Sequence, residues 1–339
     1  MAVIFSHGSS LELLRGVPPQ LKIAKRLESE LEIEKCSTVL RPTSGSCSYQ
    51  GVSCVSAPFH VLVGDAVRRS RSDLVRTHSL STPLIPKDVL MELGEGQYFC
   101  GSELTFIQIA ANHSLCATVV LGYELCGCYS HFPKMVSGFY GRPALTSVDR
   151  LRKTIDLFPR MRGTHKAREA LKWVKDGSAS PMETIVACAL TLPASMGGAG
   201  FLHATLNHEV TLDPIAAALA GRKTCRVDLA WPEFRVGLEY DSEAFHKNPT
   251  SDLARREALS HMGYQIVTLD LARIGYFPEL KKVISFLGSV LPQRHGGCAR
   301  DSDLKGLLRR LRRATRMGVG LENTLFPVNV PHGLLDIHV

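Results

Sequence analysis

Two short apolar stretches hold carboxylates where a buried strand tolerates none without compensation, and no other feature restricts the fold of this chain so strongly. Lys223 to Trp231 and Arg235 to Asp241 read as strands joined by a tight Pro232-Glu233 turn, an antiparallel hairpin. Alternation along the second strand puts Gly237, Glu239 and Asp241 on one face and Val236, Leu238 and Tyr240 on the other. On the first, Asp228 lies between Val227 and Leu229, and the same alternation turns it away from both. Acids converging within an apolar sheet are costly in repulsion and desolvation unless cations or protons neutralise them. A hard divalent cation does so naturally: Mg²⁺ binds through one or two carboxylates, keeps several waters and completes its shell with phosphate.

The surrounding pattern extends the hairpin into a domain. Met182 to Leu190 is an apolar helix with Pro181 at its first turn and Glu183 near its positive end. Thr250 or Ser251 caps a helix running to Met262, in which Asp252 and Arg256 stand at i, i+4. Tyr264 to Leu269 follows as a strand and Phe277 to Leu291 as an amphipathic helix. Helix, strands, helix, strand, helix implies an α/β arrangement with a mixed sheet. Upstream, Leu11 to Lys35 has helical spacing broken at Gly16, Pro18 and Pro19, and Cys36 to Ser56 reads as a loop. Phe59 to Val63 and the Pro83 to Pro86 bracket read as short strands, and Ser102 opens a helix followed by another over Val119 to Cys126. Charged helices over Thr146 to Leu157 and His165 to Lys175 precede a linker-like Asp176 to Pro181. The expected division is therefore residues 1–176, 177–292, and a basic tail over 293–339.

Composition restricts the partners. At 339 residues, 45% hydrophobic and 21% charged, the chain has a globular composition, which excludes wholesale disorder and collagen-like or coiled-coil forms. Lys and Arg outnumber Asp and Glu by 40 to 32. The excess is uneven: residues 177–292 hold ten basic against twelve acidic side chains, net −2, which leaves about +10 elsewhere. An acidic centre with basic flanks approaches a phosphate backbone only with a cation in the site. The run Arg309-Arg310-Leu311-Arg312-Arg313 is the obvious basic patch, equally readable as a solvated helix face. No basic n-region opens the chain, and no apolar run reaches the roughly 20 residues of a membrane span, so a cytoplasmic protein without a membrane partner is expected. The ten cysteines then read as reduced thiols, Cys126 and Cys128 lacking the paired spacing of a zinc site.

His246 follows the second acidic strand closely enough to reach its carboxylates and titrates near neutrality. The string from Arg226 through Asp228, Glu239 and Asp241, with His246 and the Asp252 to Leu259 segment, resembles a very-short-patch-repair-like endonuclease domain. These domains belong to the restriction-endonuclease-like, or PD-(D/E)XK, superfamily, and the resemblance covers Ser180 to Leu291. It implies an α+β or α/β fold: a restriction-endonuclease-like domain with a mixed central sheet flanked by helices, preceded by a mostly helical N-terminal domain with small strands. It implies a DNA partner and Mg²⁺, or Mn²⁺, held by Asp228 and Glu239 with support from Glu183. Acid–base or phosphate contact falls to His246 and Asp241. Arg226, Arg255, Arg256 and Asp252 brace the site or contact phosphate, with Arg309, Arg310, Arg312 and Arg313 on the DNA. Asp241 stands where the superfamily has the lysine of E-x-K, and Ser242 where relatives show glycine. The N-terminal helices are similar to regions preceding such domains in proteins resembling abortive-infection antitoxins. Three functions remain open: DNA hydrolysis, a non-catalytic nucleic-acid-binding regulator on the same fold, and acids paired with arginines as an architectural ion network.

Overall fold

The computed structural model describes residues 2–16, 25–33, 55–64, 72–80, 82–94, 96–132, 137–241, 249–270, 274, 276–291 and 299–317. The first half opens with β1 (Val3–Phe5) and α1 (His7–Arg15), followed by β2 (Lys25–Arg26), β3 (Leu31–Glu32), β4 (Phe59–Val63), β5 (Val75–Ser79), β6 (Leu84–Ile85), β7 (Leu90–Gly94) and β8 (Gln97–Cys100). Helices α2 (Ser102–Ala110) and α3 (Leu115–Cys126), the hairpin β9 (Tyr129–His131) and β10 (Phe139–Gly141), and helices α4 (Val148–Leu157) and α5 (Thr164–Leu171) complete it.

Of the small strands expected here, Phe59–Val63 joins a sheet of six, in the order β2-β7-β8-β1-β4-β5, with β1–β8 and β4–β5 parallel, whereas Leu84–Ile85 pairs with β3 in a separate two-stranded ribbon. Strand β1 escaped detection because all three of its residues are buried, so no polar partner marks the alternation. The helical spacing beyond Leu11 ends at Arg15, and Lys25–Arg26 and Leu31–Glu32 are strands. Most of the expected Cys36 to Ser56 loop lies outside the described residues. Helix α3 is buried on every side from Cys116 to Cys126, and Ser114 caps it by accepting the Ala117 N–H. Ser102 is the first residue of α2, and Gly101 occupies the cap position.

In the second half, α6 (Pro181–Thr191) leads to β11 (Thr205–Thr211), α7 (Pro214–Ala220), β12 (Thr224–Trp231) and β13 (Val236–Asp241). Then come α8 (Pro249–His261), β14 (Gln265–Asp270), α9 (Phe277–Val290) and α10 (Asp301–Met317). The four strands form a mixed sheet, β11-β12-β13-β14, antiparallel except for the last, parallel pair. One face packs on α6 and α9, through Leu229, Trp231, Leu238, Leu280 and Leu287, in a core shared with the first half. The other face packs on α7 and α8 through Val210, Ala216, Cys225, Val227, Ala258 and Leu259. Helix α8 begins at Pro249, so Thr250 and Ser251 lie inside its first turn rather than capping it.

The stretch expected as a linker is stitched into the structure. The Gly177 N–H donates to the Cys126 carbonyl at 3.0 Å, the Cys128 N–H to the Ser178 carbonyl at 2.7 Å, and Ser178 is fully buried. Part of the basic tail is helix α10, which lays Leu304, Leu307, Leu308 and Leu311 into the larger core against α3 and α6. Among the described residues six cysteines are free thiols, five of them buried. No helix among them is long and apolar enough to cross a membrane.

Candidate functional site

The β12–β13 ladder pairs Trp231 with Val236, Ala230 with Gly237 and Leu229 with Leu238, then stops. One step further the Tyr240 N–H donates to the Asp228 carboxylate, at 2.8 Å to Oδ2, in place of a strand carbonyl. On the other side of β12 the pairing with β11 passes over Asn207, whose backbone is left-handed at φ 47°. Its side-chain amide donates to the Gly177 carbonyl at 2.7 Å and to Glu183 Oε2 at 2.8 Å. The alternation of β12 breaks here. Val227 lies with Ala230 in the smaller core, whereas Leu229 and Trp231 lie in the larger one. Val227 and Leu229 therefore do not share a face, contrary to the simple period-2 reading, and Asp228 sits where the strand changes sides.

Glu239 projects from β13 toward α8 and is 7% exposed. Arg255 of α8 grips it with both amino groups: Nη1 donates to Oε2 at 2.7 Å and Nη2 to Oε1, and Nη2 also donates to the Arg226 carbonyl. Asp228 and Glu239 open into one pocket of about 170 Å³ with Tyr240, Asp252, Arg255, Arg256 and Thr268. Burial pushes both carboxyls above their ordinary range, although the Tyr240 amide and Arg255 pull Asp228 down and Arg255 pulls Glu239 down. The charge of Asp228 pushes Glu239 up further. Two acids that stay hard to ionise beside a guanidinium form a site short of positive charge.

Glu183 serves the start of α6. Ser180 caps the helix by accepting the Glu183 N–H at 3.1 Å, and Glu183 Oε2 accepts the Ala179 N–H at 2.8 Å. Burial raises its carboxyl, and Asp228 is among the charges that add to this, yet Glu183 does not line the pocket. Among the described residues Asp228, Glu239 and Glu183 do not gather three donor atoms within 4.8 Å. The expected third ligand is thus a neighbour that sets the helix start.

Of the other expected residues, Arg255, Arg256 and Asp252 are at the pocket, and Arg226, itself exposed, contributes its carbonyl to Arg255. Asp241 closes β13 in register with Asp270, and His246 lies outside the described residues. Arg309, Arg310, Arg312 and Arg313 do not line the pocket: they ride on α10, where Arg310 donates to the Met196 carbonyl and Arg312 to the Ile274 carbonyl.

The donor chemistry fits Mg²⁺: two carboxylates, all oxygen, on neighbouring strands, in a pocket whose acids are under-neutralised. The bidentate hold of Arg255 on Glu239 competes for the same oxygens, so a cation would share Glu239 with it or displace one arm. Sequence reasoning missed another group. His7, His60 and His78 bring one ring nitrogen each within 4.8 Å of the others. They belong to separate segments with no metal-site spacing between them, and only strand pairing unites them. No protein-family model matches this chain, and neither does any curated protein or solved structure.

Proposed function

We propose that the chain is a metal-dependent DNA endonuclease that hydrolyses phosphodiester bonds at the Asp228–Glu239 pocket, on a restriction-endonuclease-like fold. One observation carries this reading: half-buried Asp228 and buried Glu239, on adjacent strands, share a pocket with Arg255 and Arg256, and burial outweighs the arginines in holding both carboxyls above their ordinary range. The element order α6-β11-α7-β12-β13-α8-β14 with its mixed sheet supports it. Asp228 and Glu239 would hold Mg²⁺ or Mn²⁺, which when bound polarises the phosphodiester and lowers the pKa of the attacking water. The Tyr240 amide fixes Asp228 in place. Arg255 keeps Glu239 ionised and oriented, and Arg256 offers a guanidinium to the phosphate at the pocket wall.

The closed Arg255–Glu239 pair favours a second reading, a non-catalytic nucleic-acid-binding regulator in which the acids are architecture. Supercoiled plasmid separates the two. The endonuclease nicks it with Mg²⁺ or Mn²⁺ and not with EDTA, and Asp228→Asn and Glu239→Gln each slow nicking on the order of 10³-fold, about 4 kcal/mol of transition-state stabilisation. Retardation of DNA in a gel without nicking under either metal would establish the regulator instead.

A further inference from the structure

His60 lies in β4 and His78 in the parallel neighbour β5, where Leu62 is in register with His78, so both histidines project from the same face, one step apart. His7 opens α1 directly after β1, which pairs with β4 through Phe5 and Val61. A left-handed backbone at φ 48° turns His7 toward the other two. Its ring stacks on His78 with centroids 3.6 Å apart, and His60 stacks on His78 at 5.0 Å. His60 Nδ1 and His78 Nε2 face each other at 2.9 Å.

Polar contacts hold this cluster from behind. The His7 N–H donates to Gln108 Oε1 at 2.8 Å, His7 Nδ1 meets the Ser6 hydroxyl at 3.0 Å, and the His60 N–H donates to the Ser9 hydroxyl at 2.9 Å. The two backbone amides fix where the chain places His7 and His60, and the Ser6 hydroxyl orients the His7 ring itself, the kind of support a metal-ligating imidazole has. Nitrogens bound to one tetrahedral zinc at 2.0–2.1 Å stand about 3.3 Å apart. One nitrogen from each ring already lies within 4.8 Å of the others. Each imidazole ligates through a deprotonated ring nitrogen, so binding one ion displaces a proton from any ring that holds two.

His7 and His78 line a cavity of about 910 Å³, whose wall also holds Arg76, Arg160 and Arg162. Three neutral imidazoles leave a dication with its full charge, and beside three guanidinium groups that charge calls for an anion. Three protein nitrogens with a fourth position toward a cavity is the pattern of a zinc site open to exchangeable ligand. We propose that His7, His60 and His78 bind one transition-metal ion, Zn²⁺ by ligand type, and that its open position with Arg76, Arg160 and Arg162 takes a phosphate-bearing anion. This site shares no residue with the Asp228 pocket and stands whether or not the chain cuts DNA.

The full chain, stripped by chelation and dialysed, is titrated with Zn²⁺ by calorimetry and with Co²⁺ by visible absorption. With excess Mg²⁺ present to occupy the carboxylate pocket, one tight equivalent is expected, with Co²⁺ bands of a nitrogen-ligated centre and no thiolate charge-transfer band. Zn²⁺ affinity falls at least 100-fold in His60→Ala and in His78→Asn and is unchanged in Asp228→Asn. Inorganic phosphate shifts the Co²⁺ bands, and Arg76→Ala and Arg162→Ala raise the phosphate needed at least tenfold. The wild-type titration decides by itself, so a variant that fails to fold leaves the result readable. Absence of stoichiometric uptake by the folded chain, a thiolate band, or undiminished uptake in folded histidine variants would overturn the metal site. Co²⁺ bands indifferent to phosphate would overturn the anion assignment.

Discussion

Arg255 decides the charge state of Glu239. Burial and the neighbouring Asp228 favour a protonated Glu239, and the guanidinium gripping both oxygens opposes them most strongly, with a smaller pull from Arg256. Removing Arg255 leaves an unpartnered buried acid, so Arg255→Met is expected to cost about 3 kcal/mol in urea denaturation at neutral pH. Glu239→Gln in the same chain restores most of it, because the amide has no charge to strand. A coupling energy of about 1–3 kcal/mol between the two changes checks the pair, and strictly additive losses would sink it. The double substitution also tells architecture from catalysis: it recovers stability while nicking stays lost. Asp228 differs, since its hydrogen-bond donor is the Tyr240 backbone amide, which a change of side chain other than to proline leaves in place.

At the scale of elements, α10 shows how charge hides a core helix. Its sequence reads as a basic patch, yet Leu304, Leu307, Leu308 and Leu311 stand at i, i+3, i+4 and i+7, and all four are buried. Arg309, Arg310 and Arg313 keep the opposite side in solvent. Leu307 is fully buried, so Leu307→Ala is expected to cost about 2–5 kcal/mol, whereas the exposed Arg313→Ala stays within about 0.5 kcal/mol. Chemical denaturation of the two variants checks this, and equal losses would mean that the helix does not dock. The arginines drew the sequence reading to a basic patch or a solvated helix face, and neither reading took account of the leucine stripe between them. Strand β11 and helix α7 were missed because Thr205 to Thr211 mixes buried and exposed positions without strict alternation and Pro214 to Ala220 is a short, alanine-rich turn.

Over the whole molecule, stability in acid rests on a buried joint between α1, α3 and β9. Arg15 donates to both oxygens of Glu124, at 2.8 and 2.6 Å, and the His131 N–H donates to Oε1 at 3.1 Å. Arg15, with His131 and Arg142 nearby, brings Glu124 down to about 2 against the cost of burial, and burial brings His131 down to about 4. A depressed carboxyl contributes stability above its ordinary 4.5 and loses it as pH falls toward 2, while a depressed imidazole loses stability as pH falls from 6.5 toward 4. Both act in the same direction, so the urea midpoint is expected to fall continuously from pH 6.5 downward, with Glu124 responsible for about 3 kcal/mol of the loss below pH 4.5. Glu124→Gln flattens the lower part of that profile, and an unchanged slope between pH 4.5 and 3 would refute the joint. The sequence by itself determined what depends on neighbours along the chain: the helix start with Pro181 and Glu183 in its first turn, the acidic hairpin with Asp228 and Glu239 on adjacent strands, the mixed sheet, and strand Phe59–Val63 to the residue. Tertiary structure alone decided the side-switch at Asp228, the grip of Arg255 on Glu239, the displacement of Glu183 from the pocket, and the meeting of His7, His60 and His78. Each of these depends on pairing between segments distant in sequence, and period and spacing along one segment hold no record of which other segment it will meet.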